Sequence, residues 1–150
     1  MREGTILLVE DNPNDEELTL LALNENHITN PVIVVRDGAA ALDWLFARGA
    51  HVGRDARDIP LLILLDLKLP KVDGLEVLRL LRADDRTRLT PVVIMTSSQE
   101  EEDRLKSYSL GANSYIRKPV DFTHFVETVR NLGMYWLVLN EPPPRFRGPV

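Results

Sequence analysis

The sequence predicts a doubly wound α/β domain built on a parallel five-stranded sheet. Five short apolar runs recur along the 150 residues, and segments with helical periodicity separate them. The runs are nearly unbroken, which indicates strands covered on both faces, as in parallel sheets. Strand and helix candidates alternate five times, so the expected class is α/β. The runs are Ile6 to Val9, Val32 to Val35, Leu61 to Leu65, Val92 to Met95 and Ser114 to Ile116.

The helix candidates carry start signals or helical periodicity. The first follows Asn12-Pro13, a capping residue and a first-turn proline, and its expected inner side holds Leu18, Leu21 and Ala22. The fourth begins in the acidic cluster Glu100 to Glu102, which suits the positive end of a helix dipole. The others are expected at Ala39 to Ala47, after Asp73-Gly74 with Leu75, Leu78 and Leu81, and after Asp121 with Phe122, Phe125, Val126 and Val129.

Two segments fall outside this alternation. Residues 48–60 form a long polar connection that we expect at the surface. The run from Leu132 to Leu139 is apolar on all sides, which indicates burial against something beyond the domain. Three consecutive prolines follow it and predict an extended tail. The expected organisation is one domain over residues 1–132 and a helical extension with a proline-rich tail over residues 133–150.

Composition and charge exclude several classes of protein. The formal net charge of −5 would repel nucleic acid. Cysteine is absent, which excludes disulfide frameworks, Cys-ligated zinc and Fe–S clusters. No apolar stretch approaches the ~20 residues that a membrane helix needs, and the first apolar run is too short for a signal peptide. We therefore expect a cytoplasmic protein that binds neither nucleic acid nor membrane.

Polar and charged residues follow the apolar runs. Glu10 and Asp11 follow the first run, Asp66 the third, Thr96 the fourth, and Lys118 comes just after the fifth. In open α/β sheets, ligand sites form outside the carboxyl ends of the strands. The sequence therefore predicts one site that gathers three carboxylates, a hydroxyl and an ammonium.

This combination favours a divalent cation and phosphoryl chemistry. Three carboxylates held close together resist joint ionisation unless a cation lies among them. Oxygen ligands without His or Cys favour Mg²⁺ or a similar ion, and Mg²⁺ beside a Lys can receive a phosphoryl group. Asp66 is the expected nucleophile because it ends the most hydrophobic run, and carboxylates accept phosphoryl groups.

Four motifs resemble the signature set of two-component response-regulator receiver domains. They lie in family order between about Thr5 and Leu132. The resemblance implies a flavodoxin-like (βα)5 fold with strand order 2-1-3-4-5, and a histidine kinase or phosphorelay protein as partner. It also implies Mg²⁺ as cofactor, with Mn²⁺ as a substitute. The motifs are Glu10-Asp11, the segment Leu65 to Gly74 (LDLKLPKVDG), Met95 to Ser98 (MTSS) and Ile116 to Pro119 (IRKP).

The resemblance assigns the acceptor and the metal ligands. Asp66 would be the phosphoacceptor. Asp11 would bind Mg²⁺ directly and Glu10 would help through water, together with Asp66 and the backbone carbonyl of Lys68. Such a domain is not an enzyme in the usual sense, because it catalyses only its own phosphoryl transfer and slow autodephosphorylation.

The resemblance also assigns the residues that sense the phosphoryl group. Thr96 would hydrogen-bond it and Lys118 would pair with it. Tyr115 occupies the position of the aromatic switch, which would turn inward as Thr96 moves. Pro119 would follow a cis peptide bond.

A narrower likeness concerns regulators that partner bacterial and cyanobacterial phytochrome histidine kinases. The long loop before Pro60, the turn at residues 69–74 and the end segment are similar to those stand-alone proteins, which pair through their C-terminal helix and arm. The likeness implies a homodimer or partner interface whose state responds to phosphorylation. Lys68, two residues after Asp66, places a second cation near the mouth of the expected site. The interface residues would be Met134, Tyr135, Trp136 and Leu137.

Three other functions can be weighed. A flavin-binding domain needs a phosphate loop after the first strand, where the acid-rich residues 10–17 would repel phosphate. A phosphatase of the haloacid-dehalogenase type needs Asp-x-Asp, and Lys68 occupies the second position. The alternative that stays open is a degenerate, phosphorylation-independent interaction module of the same fold. Such a module would lack an acid, Thr96 or Lys118, and this chain has them all.

Overall fold

A computed structural model describes residues 2–149 and contains one five-stranded sheet. All neighbouring strands are parallel and their order is β2-β1-β3-β4-β5, which confirms the predicted topology. The order reverses between β1 and β3, so the carboxyl ends of these two strands flank the crevice where ligands bind in such sheets. The strands are β1 (Ile6–Val9), β2 (Val32–Val35), β3 (Leu62–Leu65), β4 (Val92–Thr96) and β5 (Ser114–Arg117).

Five helices connect and follow the strands. A short 3-10 turn at Gly49–His51 and a final π-type helical segment at Met134–Leu139 complete the architecture. We call the latter the C-terminal segment. The helices are α1 (Pro13–Glu25), α2 (Gly38–Leu45), α3 (Gly74–Ala83), α4 (Glu101–Ser109) and α5 (Phe122–Gly133).

Side-chain caps fix where most helices begin. The Asn12 side chain accepts hydrogen bonds from two backbone N–H groups at the start of α1, as its sequence signal predicted. Asp37, Asp73 and Asp121 cap α2, α3 and α5 in the same way. Each cap satisfies a backbone donor that has no partner inside the helix. The caps therefore set the lengths of the loops that follow the strands.

The sheet divides the core into two layers because alternate strand residues face opposite sides. Leu7 and Ile63 pack with buried residues of α2 and α3, whereas Ile6 and Leu64 pack with those of α1 and α5. The predicted inner side of α1 needs correction. Its buried residues are Thr19, Ala22 and Leu23, and Leu21 is exposed. Since helices cover both faces of the sheet, the ends of its strands are held in place.

The polar connection at residues 48–60 is attached to α2. Arg54 stacks on the ring of Trp44 at 3.6 Å from its centroid and donates to the Trp44 carbonyl at 2.8 Å. A stacked guanidinium is favourable and leaves its N–H groups free to donate. The loop is thus anchored at its centre.

The C-terminal segment is only partly available to a partner. Leu137 is 1% exposed and packs in the core layer of α1 and α5, so its predicted place in an intermolecular interface was wrong. Its carbonyl accepts a hydrogen bond from the backbone N–H of Arg2 at 2.8 Å, which holds the segment on the domain. Met134 and Tyr135 are exposed and Trp136 is half-buried. Among the described helices, none combines the length and the apolarity needed to cross a membrane.

Candidate metal centre

The ends of the strands are fixed by hydrogen bonds that continue the sheet. The backbone N–H of Glu10 donates a hydrogen bond to the Val35 carbonyl at 3.0 Å, and the backbone N–H of Asp66 donates one to the Val9 carbonyl at 3.1 Å. The backbone N–H of Lys118 donates to the Thr96 carbonyl at 2.8 Å. The residues that follow β1, β3 and β5 therefore leave the sheet in fixed positions at one edge.

Lys118 is the centre of this edge. Its ammonium contacts Glu10 Oε1 at 2.5 Å and Asp66 Oδ2 at 3.0 Å. It also contacts Asp15 Oδ2, from the first turn of α1, at 2.8 Å. The lysine side chain is itself buried, so these are charge-assisted bonds in a region of low dielectric. One ammonium thus faces three carboxylates.

Three carboxylates also fit a divalent cation. One oxygen from each of Glu10, Asp11 and Asp66 lies within 4.8 Å of the others. Glu10 is 2% exposed and Asp66 is 8% exposed, whereas Asp11 is open to solvent. Hard oxygen ligands of this kind, without nitrogen or sulfur, suit Mg²⁺ or Mn²⁺, and the open side leaves room for water. The predicted acidic group is therefore assembled.

One carboxylate oxygen of Asp66 is hydrogen-bonded to the backbone. Its Oδ1 accepts a hydrogen bond from the N–H of Leu67 at 2.7 Å, and its Oδ2 faces Lys118. Gly74 N–H donates to the Leu67 carbonyl at 2.8 Å and closes the loop behind Asp66. A Cβ on Gly74 would lie 2.2 Å from the Asp66 carbonyl oxygen, so a glycine is required at this close approach. The loop thereby presents a carboxylate of fixed orientation.

The burial and the close approach of these charged groups shift the pKa values of Glu10 and Lys118. Burial raises the pKa of Glu10 from 4.5 to about 7, although hydrogen bonding and charge attraction from Lys118 act in the opposite direction. Burial alone would lower the pKa of Lys118, but the hydrogen bonds from Asp15 and Glu10 and the charge of Asp66 outweigh it and raise the pKa. One ammonium is therefore too little to keep every carboxylate of the group ionised at neutral pH.

We expect the stability of the metal-free protein to depend on pH through Glu10. Its folded-state pKa of about 7 exceeds the reference value of 4.5, so between these pH values the folded state keeps a proton that the unfolded state has released. The free energy of unfolding should fall as the pH rises through this window. Urea unfolding across the window checks this: Glu10→Gln should lose the slope, whereas the exposed Glu25→Gln should keep it. An unchanged slope in Glu10→Gln would assign it to another group.

Thr96 ends β4, and Tyr115 lies on the neighbouring strand β5. Thr96 is buried, and its Oγ1 accepts a hydrogen bond from the backbone N–H of Ser98 at 3.2 Å. The Tyr115 ring packs against the core layer of α2 and α3. Its hydroxyl is buried and has no hydrogen-bond partner among residues 2–149. A buried hydroxyl without a partner loses its hydrogen bonds to water and gains none in return, which is energetically costly.

Replacing Tyr115 by phenylalanine should stabilise the protein by about 1 kcal/mol, because it removes an unsatisfied buried hydroxyl and keeps the ring. The midpoint of urea unfolding measures this change. Tyr108→Phe on the exposed side of α4 is the matched control and should have no effect. A destabilised Tyr115→Phe variant would mean that the hydroxyl makes a favourable bond in solution.

The predicted cis peptide bond before Pro119 was wrong. The structure contains no cis peptide bond within residues 2–149. The trans form of an X–Pro bond is favoured by about 0.5–1 kcal/mol. With the bond in the trans form, Lys118 contacts Glu10, Asp15 and Asp66.

Several contacts of the site were not predicted. Asp15 carries a carboxylate that binds Lys118, yet in the sequence it is one of several acids around the first turn of α1. Asp103 of α4 contacts Lys68 and Ser98. The signal for Asp15 was its position in the turn that directly follows Glu10 and Asp11. No sequence signal singled out Asp103, since its partners come from two other loops.

The comparisons with known proteins agree on one family. Residues 6–130 match the family described as the response regulator receiver domain. Response regulator Rcp1 of Synechocystis sp. is 37% identical over 132 residues, which cover 88% of both chains. The crystal structure of its Mn(2+)-bound form has a TM-score of 0.85 at 35% identity and covers 94% of this chain and 99% of that one.

Two further solved structures are similar over nearly the whole chain. The phosphorylated cyanobacterial phytochrome response regulator RcpA has a TM-score of 0.87 at 36% identity, covering 95% of this chain and 100% of its own. The bacteriophytochrome response regulator RtBRR is 55% identical with a TM-score of 0.76, covering 95% of this chain and 86% of its own. Both of these proteins are named as phytochrome response regulators.

Proposed function

The chain belongs to the response regulator receiver domain family, and from this premise we propose that it accepts a phosphoryl group on Asp66, in the cytoplasm, from a histidine kinase or phosphorelay protein. The observation that supports this most directly is the joint position of Glu10, Asp11, Asp66 and Lys118 at one edge of the sheet. Receiver domains bind Mg²⁺ at an acidic site, and this group has the matching chemistry. Residues 1–132 would form the receiver, and residues 133–150 would be an extension of it.

The transfer is an in-line displacement at phosphorus. A carboxylate oxygen of Asp66 forms the new bond to phosphorus, while the bond from phosphorus to the imidazole nitrogen of the donor histidine breaks. Mg²⁺, held by Asp11, Asp66 and the Lys68 carbonyl, with Glu10 acting through water, would supply positive charge to the phosphoryl oxygens. Lys118 lies 3.0 Å from Asp66 Oδ2 and would pair with the phosphoryl group after transfer.

The response to phosphorylation would begin at Thr96. Its hydroxyl would turn from the Ser98 N–H toward the phosphoryl oxygens. Tyr115 on the neighbouring strand carries a buried hydroxyl without a partner and would move with it. The surface formed by α4, β5 and α5 would then repack as a two-state element. In this account the domain is a phosphoacceptor and turns over no external substrate.

The partner kinase would be of the phytochrome type. The support is the similarity to RcpA and RtBRR, whose names describe phytochrome response regulators. The test is phosphoryl transfer from a purified phytochrome histidine kinase, compared with transfer from an unrelated sensor kinase. Equal or slower transfer from the phytochrome kinase would contradict this part of the proposal.

Acceptance of a phosphoryl group can be tested without any kinase. The protein is incubated with Mg²⁺ and a small phosphoryl donor, and its intact mass is measured. We expect the mass increment of one phosphoryl group with Mg²⁺ and none with a chelator in its place. An unmodified mass under both conditions, in protein that unfolds cooperatively, would favour the phosphorylation-independent alternative.

We also propose that the protein forms a homodimer through α5 and the C-terminal segment. Met134, Tyr135, Val138 and Leu139 are exposed along this segment, a concentration of apolar surface that a monomer rarely presents. Tyr135 and Trp136, in edge-to-face contact at 4.9 Å, line a cavity of about 530 Å³ beside the outer strand β5. Leu137 has no part in this interface because it is buried in its own core.

Replacing Met134 and Tyr135 together by serine should convert the dimer to a monomer, because these exposed side chains would supply the apolar area of the contact. Light scattering measures the particle mass. Val52→Ser, at an equally apolar and exposed position of the polar connection, is the control and should leave the mass unchanged. If wild-type protein already has the mass of one chain, the dimer proposal fails.

A further inference from the structure

Helix α4 is held on the domain by polar contacts. Among its residues only Asp103 and Ser107 are buried, whereas Leu105 and Tyr108 are exposed. Ser107 bonds within the helix, to the Asp103 carbonyl at 2.7 Å. The other helices each bury apolar side chains in one of the two core layers. The Asp103 side chain therefore provides a buried polar contact from α4 to the loops beside it.

The Asp103 carboxylate joins two loops at the mouth of the acidic site. Its Oδ2 accepts a hydrogen bond from Ser98 Oγ at 2.7 Å, and the ammonium of Lys68 lies 3.4 Å from the same oxygen. The hydrogen bond from Ser98, with a smaller contribution from the charge of Lys68, holds the pKa of Asp103 below its usual value. The contact with Lys68 is therefore an ion pair.

Both contacts lead back to the site. Lys68 follows Asp66 by two residues, and its side chain is 68% exposed, so it can change partner without breaking any packing. The backbone N–H of Ser98 donates to Thr96 Oγ1 at 3.2 Å. Lys118 differs from Lys68 in being buried and bonded to three carboxylates. Lys68 is thus an exposed cation of the loop that follows Asp66, and Asp103 is the group that binds it.

We propose that Asp103 is a positioning residue that holds the Lys68 ammonium away from Asp66 and thereby shortens the lifetime of the phosphoryl group. This inference rests on the proposed function. Hydrolysis forms a bond from a water oxygen to phosphorus and breaks the bond from phosphorus to Asp66, which releases phosphate and restores the carboxylate. An unrestrained ammonium would pair with the phosphoryl oxygens, stabilise the phosphorylated state and obstruct the approach of water.

The experiment compares how fast variants lose the phosphoryl group after the donor has been removed, followed by intact mass. Asp103→Asn keeps an oxygen that can accept from Ser98 but loses the charge that binds Lys68. Its phosphoryl group should be lost about two- to fivefold more slowly, the range expected for one ion pair near the surface. An equal or faster loss would overturn the inference.

A double variant separates positioning from a general structural effect. Lys68→Ala combined with Asp103→Asn should return the lifetime to that of the wild type, because Asp103 acts through Lys68. If the longer lifetime persists in the double variant, Asp103 acts on the fold and the inference fails. Lys71→Ala is the matched control. It removes another exposed lysine of the loop that carries Lys68, one that pairs with Asp37, and it should leave the lifetime of the phosphoryl group unchanged.

The variant Asp103→Ser keeps the inference testable even if Asp103→Asn does not fold, because it also removes the carboxylate that binds Lys68. Its phosphoryl group should likewise be lost more slowly than that of the wild type. A lifetime equal to or shorter than that of the wild type would overturn the inference. Failure of the wild type to take up any label would instead overturn the proposed function, which is a separate result.

Discussion

Asp66→Asn is expected to abolish phosphorylation of the protein by a small donor or by a kinase. The asparagine amide is a poor nucleophile and carries no charge to help hold Mg²⁺, whereas its size matches the aspartate. The backbone bond from Leu67 to Oδ1 can still form, so the loop should keep its shape. Intact mass after incubation with Mg²⁺ and donor should show complete labelling of the wild type and none of the variant.

The matched control for this variant is Asp15→Asn. Asp15 also contacts Lys118 and lies at the same edge, but it is outside the group of three carboxylates that can share a metal ion. It should therefore be labelled like the wild type. Persistent labelling of Asp66→Asn would mean that another carboxylate is the acceptor, and loss of labelling in both variants would point to a general requirement for charge at this edge.

Lys118→Met should destabilise the metal-free protein by about 3–5 kcal/mol at pH 8, because it removes the cation of a buried ionic group. Glu10, Asp15 and Asp66 would be left without their shared ammonium. The loss should shrink toward pH 5, since Glu10, whose pKa burial raises to about 7, takes up a proton there. Added Mg²⁺ should restore part of the lost stability because it supplies charge to the same oxygens. Urea unfolding at the two pH values, with and without Mg²⁺, measures each of these effects.

Lys106→Met is the control for this second prediction. Lys106 pairs with Glu102 across one turn of α4 at the surface, and such pairs contribute little. A similarly small effect of Lys118→Met at pH 8 would mean that the buried carboxylates are already protonated or solvated. An effect that is independent of Mg²⁺ would mean that the metal ion and Lys118 act on different groups.

The fold could be predicted from local patterns because the strands are short, apolar and covered on both faces. The predicted bounds of β1 and β2 are those of the structure, and β3, β4 and β5 differ by one residue at an end. The caps Asn12, Asp73 and Asp121 were visible as start signals. The inner side of α1 was wrong because Thr19 is buried with its hydroxyl bonded to the carbonyl of Asp15, so a polar residue took an inner position.

The site could be predicted only as far as strand ends determine it. Glu10, Asp11, Asp66 and Lys118 lie within two residues of strand ends, so parallel topology alone brings them together. Asp15 and Asp103 lie on α1 and α4. Which side of a helix faces the site depends on how the helix packs, and the periodicity of the sequence did not determine this. Leu137 was placed in an interface because the segment is apolar on all sides. In the structure, Leu137 is instead buried in the hydrophobic core of its own chain.

Calorimetric titration of the folded wild type with Mg²⁺ tests the central claim most directly, namely that Glu10, Asp11 and Asp66 form one divalent-ion site. The account predicts saturable binding of one ion per chain, lost in Asp11→Asn and kept in Asp15→Asn. Saturable binding of Mn²⁺ at the same site is expected as well. Well-folded protein that binds neither ion, or that binds both equally well after Asp11→Asn, would contradict the account.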